Sequence, residues 1–258
     1  MISATALILT YNEEENIGRT LAAMSWIGEV VIVDSGSTDR TLEIARSSHP
    51  KLRILQRTFD SHANQWNFGL AQIHTPWVLT LDADYEVSAA LAEEIQQLAP
   101  EEIAGYEAQF QYRIHGRPLR SSVYPPRVVL FRIDRASYFD EGHTQRLRIG
   151  GTVRMLTGLI YHDDRKSLRH WLQSQQRYAL LEARHILTTD PSRRTTPDRL
   201  RSKIVLAAPA MLFYLMFGRG LILEGWPGWF YVSQRTIAEL LLSVHLLREK
   251  VRNSKPGK

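Results

Sequence analysis

The sequence predicts an α/β fold in which a parallel sheet is followed by a mixed extension and then by a helical C-terminal region. Two observations support this prediction. Apolar, strand-like segments alternate with amphipathic helical segments through the first hundred residues, which is typical of a parallel sheet with right-handed crossovers. Strand-like segments without helices between them then continue to about residue 162, and the chain becomes helical from Ser167 onward.

Each element of the first hundred residues has its own signal. Short apolar runs bounded by polar residues predict four buried strands, ATALILT (4–10), EVVIVD (29–34), KLRILQ (51–56) and WVLTL (77–81). Amphipathic stretches between them predict four helices, EENIGRTLAAMSW (14–26), TDRTLEIARSS (38–48), SHANQWNFGLAQI (61–73) and SAALAEEIQQLA (88–99), the last with Ser88 as its N-cap. Beyond them, IAGYEAQFQYRI and PRVVLFRI predict strands of a mixed or antiparallel extension.

Polar segments follow all four predicted strands of the first hundred residues. TYNEEE follows the first strand, DSGSTD the second, RTFD the third and DADYE the fourth. The carboxyl ends of parallel strands meet at one edge of a sheet, and ligands of open α/β sheets bind there. The sequence therefore predicts a ligand site at this edge.

Three acids at alternate positions end the fourth strand, namely Asp82, Asp84 and Glu86. If the extended conformation continues, all three side chains point to one side. Carboxylates are hard oxygen ligands that suit Mg²⁺ or Mn²⁺, and such an ion can bridge to the phosphate oxygens of a substrate.

The sequence also disfavours several classes of protein. It contains no cysteine, so no disulfide framework or thiolate metal site can form. It has no Walker A sequence, no G-x-G-x-x-G after a strand and no G-x-S-x-G, which disfavours P-loop phosphoryl transfer, dinucleotide binding and serine hydrolysis. The first residues lack a basic region and reach acids after a short apolar stretch, so we expect neither a signal peptide nor a membrane span there.

Four ordered motifs, LILTYNEEENIGRTL, VVIVDSGSTDRTLEIA, RTFDSHANQWNFGL and WVLTLDADYEV, together resemble glycosyltransferase family 2 over residues 4–98. A looser similarity continues through RVVLFRI, FDEGHTQRL, GLIYHDD and FGRGLILEGWPGWFYVSQRT. It is similar to the branch that adds hexose or heptose units to lipopolysaccharide cores and other envelope glycans. The resemblance implies the GT-A fold, a Rossmann-like sheet that binds a nucleotide sugar, and a metal-assisted transfer that inverts the anomeric carbon.

The resemblance also implies roles for residues at the strand ends. Thr10, Tyr11 and Glu13 are expected to line the nucleotide pocket, Asp34 to contact the base or ribose, Arg57 to reach a phosphate, and Asp82 and Asp84 to hold the ribose edge and the metal, with Asp84 the stronger metal candidate. His162 in IYHDD is a further candidate metal ligand through its neutral imidazole.

Two departures from the family pattern leave part of the site open. Ser35 follows Asp34 where many members carry paired aspartates. The sequence therefore does not predict which nucleotide base the protein binds. In the similar branch a histidine directly precedes an acid in the acceptor region, whereas here Thr144 follows His143. The catalytic base is therefore sought among three residues, with Glu141 ranked ahead of Asp140 and His143.

The second half of the chain combines basic and apolar segments. Residues 204–218 carry no charge but include Pro209, and they fall short of the roughly twenty residues that span a bilayer. Five basic residues lie just before this segment, and the aromatic cluster GWPGWFY follows it; the basic residues are Arg193, Arg194, Arg199, Arg201 and Lys203. Basic clusters of this kind are attracted to anionic lipids. Aromatic clusters are enriched at the depth of the lipid headgroups. We expect peripheral docking on the inner face of the plasma membrane, from the cytoplasm; two core helices are the alternative.

The prediction as a whole is a two-domain enzyme. Residues 1–162 form the catalytic domain, with a nucleotide-sugar half (1–100) and an acceptor half (101–162), and residues 163–258 form the helical region. The expected partners are a nucleotide-sugar donor, a glycan or lipid-linked acceptor and an anionic membrane surface, with no nucleic acid. Two alternatives stay open: a nucleotidyltransferase on a similar sheet, and a non-catalytic nucleotide- or glycan-binding homologue.

Overall fold

The computed structural model describes residues 2–99, 102–141 and 144–254. His143, one of the three candidate bases, lies outside the described residues. The chain divides into two compact units, one formed by Met1–Pro118 and Val123–Lys166 and the other by Leu119–Ser122 and Ser167–Lys258.

The first unit has the predicted α/β composition. Its described strands are β1 Ala4–Thr10, β2 Val30–Asp34, β3 Leu52–Gln56, β4 Trp77–Asp82, β5 Tyr85–Val87, β6 Gly105–Ile114, β7 Arg117–Pro118, β8 Arg127–Arg132, β9 Ala136–Glu141, β10 Thr144–Ile149 and β11 Val153–His162. Its described helices are α1 Ile17–Ala22, α2 Thr41–Ser48, α3 His62–Leu70 and α4 Ala89–Gln97. The eight predicted strands and helices of the first hundred residues all form, although α1 is only half as long as the helical pattern indicates.

The main sheet has the strand order β3-β2-β1-β4-β8-β6-β11-β5, with β7 paired to β6. The first four strands in that order are mutually parallel. β8 runs antiparallel to both β4 and β6, whereas β11 is parallel to β6. The predicted mixed extension is therefore part of the same sheet. β9 and β10 form a separate antiparallel pair.

The core lies on both faces of the parallel strands. Ile8 and Ile32 belong to a buried cluster with Leu21 of α1, whereas Leu7 and Val31 pack with Trp66 of α3 on the other face. Successive residues of a strand point to opposite faces, and the parallel strands read as continuous apolar runs because both faces are covered.

A turn at Ala83 and Asp84 interrupts the chain after β4. The hydroxyl of Thr20 donates to the carbonyl of Ala83 at 2.7 Å, and the amide of Asp163 donates to the carbonyl of Asp84 at 3.3 Å. β5 then pairs with β11 at the far end of the sheet. The prediction that Asp82, Asp84 and Glu86 continue one extended strand is therefore wrong, because tertiary hydrogen bonds stabilise a turn between the first two acids.

The start of α4 fixes the course of β11. Ser88 caps α4 as predicted, its hydroxyl accepting from the amide of Leu91 at 3.2 Å, and the same hydroxyl accepts from the amide of Leu159 at 3.2 Å. A Cβ atom at Gly158 would lie 2.4 Å from the Cα of Leu91. Glycine therefore allows the backbones of β11 and α4 to approach closely here.

The second unit is helical. It contains α5 Leu168–Thr188, α6 Thr196–Ser202, α7 Ala207–Phe213 and α8 Gly225–Ser254, with a π-helical turn over Tyr214–Gly218 and 3₁₀ turns over Pro191–Arg193 and Leu221–Glu224. Within the described residues no single helix has the length and apolar character to cross a membrane; only the bent pair Ala207–Gly218 and Leu221–Arg252, with 70° between its arms, meets those two criteria together.

Candidate active site

Asp34, at the carboxyl end of β2, is fully buried, and its carboxylate organises the loop that follows. Its oxygens accept hydrogen bonds from the hydroxyl of Thr10 at 3.0 Å and from the amides of Gly36 and Ser37 at 3.0 and 2.9 Å. Gly36 has φ +90°, a conformation that favours glycine. Two predicted donor-site residues, Thr10 and Asp34, are thus in direct contact. The contact between Asp34 and a base or ribose stays a prediction.

The loop after β1 is joined to the loop after β2. Asn12, with φ 54°, donates its amide to the hydroxyl of Ser37 at 2.9 Å and accepts the amide of Thr38 on its side-chain oxygen at 2.8 Å. The neighbouring Tyr11, a predicted nucleotide-pocket residue, is half exposed. The two loops therefore form one connected surface at the carboxyl edge of the sheet.

Glu13 forms a buried ion pair with Lys166, which lies just beyond β11. The Lys166 ammonium is 2.5 Å from one carboxylate oxygen, and the side-chain amide of Asn16 donates to the other at 2.9 Å. Burial raises the pKa of Glu13 to about 7; Lys166 opposes this shift and the carboxylate of Asp84 adds to it. Burial alone lowers the pKa of Lys166, but the carboxylates of Glu13 and Asp164 outweigh it and the pKa is raised.

Asp84 and His162, both predicted metal ligands, are in contact. The imidazole Nε2 of His162 lies 3.1 Å from a carboxylate oxygen of Asp84. Three tyrosine rings, those of Tyr85, Tyr112 and Tyr124, surround the imidazole with centroids 4.5 to 5.1 Å away. Burial alone lowers the pKa of His162 and raises that of Asp84, but their mutual attraction outweighs both effects, so the pKa of His162 is raised and that of Asp84 is lowered.

Asp82 ends β4 beside a cluster of tyrosine hydroxyls. Burial raises the pKa of Tyr85, Tyr124 and Tyr138, and the negative charge of Asp82 raises all three further. The hydroxyl of Tyr138 donates to that of Thr80 at 3.1 Å. Asp82 and Asp84 are therefore both at the carboxyl edge, although the intervening turn gives them different neighbours.

Asp84 and His162 are the side chains best suited to hold a divalent ion. A carboxylate oxygen and an imidazole nitrogen are both ordinary metal ligands, and the Nδ1 atom of His162 is buried without a hydrogen-bond partner among the described residues. Residues 2–99, 102–141 and 144–254 contain no group of three or more potential ligands arranged around one ion. Mg²⁺ needs no such cage, because it commonly takes one or two carboxylates and completes its shell with substrate phosphates and water. These two ligands therefore fit a divalent ion that binds together with a diphosphate.

Arg57, the predicted phosphate contact, follows β3. Its amide donates to the carbonyl of Asp34 at 3.0 Å. Its guanidinium makes two hydrogen bonds to Asp60, at 2.7 and 2.8 Å, and a third to Gln65. Arg57 is thus held next to the Asp34 loop, and its contact with a phosphate stays a prediction.

The two described candidate bases lie on opposite faces of β9, since neighbouring residues of a strand alternate. Asp140 accepts the amide of Ala63 at the start of α3 at 3.1 Å. Glu141 forms an ion pair with Arg146 across the β9–β10 pair. Asp140 therefore has a structural contact with the α3 end of the site, whereas the ion pair of Glu141 lies across its own hairpin.

Three residues that bind the site together were missed in the sequence: Asn16, Arg19 and Lys166. Arg19 pairs with Glu86 and donates to the carbonyl of Asp163 at 2.9 Å, so that it joins α1 to the segments after β4 and β11. Asn16 is fully buried. Two signals were available in the sequence. Asn16 is a polar residue near the start of a predicted amphipathic helix, and Lys166 directly follows the IYHDDR segment. Neither position reveals the long-range partner of the residue.

The sequence pattern of glycosyl transferase family 2 matches residues 5–154, which is more than half of the chain. The chain belongs to glycosyltransferase family 2. This membership agrees with the predicted family and decides against the nucleotidyltransferase alternative. The family match and the relatives within it support glycosyltransferase activity rather than binding alone.

Relatives within the family include envelope enzymes. The chain is 24% identical over 266 residues to the lipopolysaccharide core biosynthesis glycosyltransferase LpsC of Rhizobium meliloti (strain 1021), covering 98% of this chain and 95% of that one. It is 31% identical over 146 residues to an undecaprenyl-phosphate 4-deoxy-4-formamido-L-arabinose transferase of Pseudomonas paraeruginosa (strain DSM 24068 / PA7), covering 52% and 42% of the two chains. The fold is similar to that of the mannosyltransferase PcManGT from Pyrobaculum calidifontis, solved with GDP-Man and Mn²⁺, with a TM-score of 0.54, 17% identity and coverage of 98% and 88%. The predicted GT-A fold is confirmed.

The Glu13–Lys166 pair provides a test of how the site is stabilised. Lys166→Met should lower the free energy of unfolding by about 3–5 kcal/mol, since it leaves a buried carboxylate without its cation next to Asp84. Glu13→Gln/Lys166→Met should recover most of the loss, because both charges are then removed. Denaturant unfolding of the two single variants and the double variant measures the coupling.

The loss in Lys166→Met should also depend on pH. Without Lys166, the pKa of Glu13 in the folded state rises further above its ordinary value of 4.5. In the folded variant Glu13 therefore stays protonated above the pKa of about 7 that it has beside Lys166, and the variant keeps losing stability as pH rises through that range, so the loss relative to wild type grows above pH 7. A loss that is equal at pH 5 and pH 8, or a double variant no more stable than Lys166→Met, contradicts the pairing.

Proposed function

We propose that the protein transfers a hexose- or heptose-type sugar from a nucleoside-diphosphate donor to a lipopolysaccharide, lipid-linked or other envelope glycan acceptor, with inversion at the anomeric carbon. The observation that carries the proposal is the contact between Asp84 and His162, 78 residues apart in sequence, at the carboxyl edge of a sheet of this family. The relatives that act on lipopolysaccharide cores and on undecaprenyl phosphate support the acceptor class.

The donor is proposed to bind along the carboxyl edge. The connected loops after β1 and β2 would form the nucleotide pocket, with Thr10, Tyr11 and Glu13 on one side and Asp34 on the other. Asp82 would lie at the ribose edge, and Arg57 would turn from Asp60 to a phosphate.

A divalent ion, Mg²⁺ or Mn²⁺, is proposed to be held by Asp84 with His162 and to neutralise charge on the departing diphosphate. The Mn²⁺ in the archaeal mannosyltransferase of similar fold is consistent with this proposal. The chain's own residues would orient the donor through the two loops and remove the acceptor proton. The acceptor oxygen would then attack the anomeric carbon on the face opposite the diphosphate, which inverts the configuration in one displacement.

The second unit is proposed to dock on an anionic membrane surface from the cytoplasmic side, where such acceptors are found. An aromatic patch, defined by Phe213, Tyr214, Phe217, Trp226 and Trp229, is largely exposed, and Phe213 and Phe217 stack with centroids 6.1 Å apart. Aromatic side chains of this kind favour headgroup depth.

Exposed basic residues of the same unit would face the anionic headgroups. Arg193, Arg199 and Lys203 are exposed and lie in the chain just before α7. Arg201 differs from them, because its guanidinium is partly buried between Glu239 and Glu182. The basic surface is therefore smaller than the sequence indicates.

The metal assignment is tested by Asp84→Asn, which keeps the shape of the side chain but removes its charge. Turnover should fall about a hundredfold or more, because charge on the leaving diphosphate is no longer balanced. Transfer is measured with the nucleotide sugar selected in a binding screen, and Mn²⁺ affinity by calorimetry with a nucleoside diphosphate. Glu93→Gln, a change of an exposed acid on α4, is the matched control. Full activity in excess EDTA argues against a metal.

The base is tested by two isosteric variants. Glu141→Gln should reduce transfer by about 10²–10⁴ while donor binding persists, because only proton acceptance is lost. Asp140→Asn should retain transfer, since the amide oxygen can still accept from Ala63. If Asp140→Asn is the inactive variant, the order of the two acids is reversed; if both are active, the proton goes to another residue.

Membrane docking is tested by flotation with vesicles that contain phosphatidylglycerol. Each exposed basic residue near such a surface contributes about 1 kcal/mol, so Arg193→Gln/Arg199→Gln/Lys203→Gln should weaken binding at low salt. Phe213→Ser/Phe217→Ser should remove the apolar contribution, and the residual binding should disappear at high salt. Phe59→Ser, a change of an exposed phenylalanine in the first unit, is the control. Wild-type protein that does not float at low salt excludes this docking mode.

A further inference from the structure

In the part of the chain that the structure describes, helix α8 buries one apolar face within the second unit and exposes another. On the covered face, Leu242 and Leu246 are buried in a cluster with Ala179, Ala183 and Ile186 of α5. This contact holds the two longest helices of the unit together.

The opposite face of α8 has a regular apolar pattern that is exposed to solvent. We name it the outer seam: Phe230, Ser233, Ile237, Leu240, Val244, Leu247 and Val251, spaced alternately three and four residues apart. Its six apolar side chains are each between 37% and 63% exposed. The spacing places all seven residues on one side of the helix over three heptads, about 32 Å.

The composition of the outer seam distinguishes between a lipid surface and another helix. The flanking positions include polar or charged residues, such as Gln234, Thr236, Ser243, Arg248 and Lys250. A helix lying in a membrane interface needs a broad apolar face, whereas a narrow stripe at this spacing is the contact surface of a coiled coil.

The residue types at the two heptad positions favour a two-stranded parallel pair. Ile237, Val244 and Val251 occupy one position and are β-branched, and Leu240 and Leu247 occupy the other. This combination favours parallel dimers over higher oligomers. Ser233, the polar member, already donates its hydroxyl to the carbonyl of Trp229 at 2.8 Å, so its burial leaves no unsatisfied donor.

We propose that the outer seam of α8 binds the same seam of a second copy of this chain, so that the protein is a parallel homodimer through its helical unit. The six apolar side chains offer on the order of 500 Å² per copy, and the flanking polar residues bring the surface to roughly the 800 Å² per partner of a standard interface. The aromatic patch lies N-terminal to the seam in the chain, so the dimer uses different side chains from those proposed for lipid. The inference does not depend on the proposed reaction.

The mass of the purified full chain tests the dimer without any substrate. Light scattering after gel filtration should give twice the chain mass. Leu240→Lys/Leu247→Lys should halve it, with the helical circular dichroism of the protein retained, since both side chains are exposed within a single copy. Leu181→Lys, a change of an exposed leucine on α5, is the matched control and should stay dimeric.

Cross-linking tests the orientation, because the chain contains no cysteine of its own. Val244→Cys should form a disulfide between copies under mild oxidation, since equivalent positions face each other only in a parallel, in-register pair. Leu181→Cys should not. A wild-type monomer, a dimer that survives Leu240→Lys/Leu247→Lys, or a dimer that Val244→Cys cannot link overturns the proposal. A seam variant that loses vesicle binding but keeps the wild-type mass also overturns the proposal, because the outer seam then binds lipid and not a second copy of the chain.

Discussion

The burial of several carboxylates at one edge of the sheet is the constraint on which the site depends. Asp34, Glu13 and Asp163 are largely withdrawn from water, and an unpaired buried charge costs far more than most single contacts contribute. Asp34 accepts hydrogen bonds from its own loop and from the hydroxyl of Thr10 on β1. The others need cations or donors from distant parts of the chain.

Those partners come mainly from one short segment. His162, at the end of β11, contacts Asp84, and Lys166 contacts Glu13. Asp163 itself lies in this segment and accepts hydrogen bonds from Arg165, two residues further on, and from the distant amide of Gly116. The return of the chain along β11, between β6 and β5, therefore assembles the site. Gly158 and the N-cap of α4 are important for the site because they fix the path of β11.

The sequence could predict the local part of this arrangement. The four parallel strands and the polar segments after them follow from periodicity within short windows, and Asp84 and His162 could be named as candidate ligands by residue type. Their contact could not be predicted, because it depends on the pairing of β5 with β11, whose paired residues are 73 to 77 positions apart in the sequence. The turn at Ala83 was missed for a similar reason: alternating acids fit a strand, and the hydrogen bonds that stabilise the turn come from Thr20 and Asp163.

The helical unit shows the same limit. The apolar composition predicts helices that bury part of their surface. Whether a given leucine of α8 is buried depends on which face of α8 packs on α5. Leu242 is buried and Leu240 is not, because positions two apart on an α-helix lie on nearly opposite faces. Likewise Arg201 and Arg199 are alike in the sequence, yet only Arg201 meets Glu239 in the interior.

The internal pairing of the edge also bears on how a donor could bind. Lys166 already balances Glu13, and His162 balances Asp84 when its imidazole is protonated, so His162 would have to lose that proton before it could hold an ion with Asp84. A diphosphate that bound alone would introduce unbalanced negative charge, and a divalent ion that bound alone would introduce unbalanced positive charge. The charges of an ion and a diphosphate that bind together largely cancel. The diphosphate supplies oxygen ligands for the ion, and the ion supplies positive charge for the diphosphate.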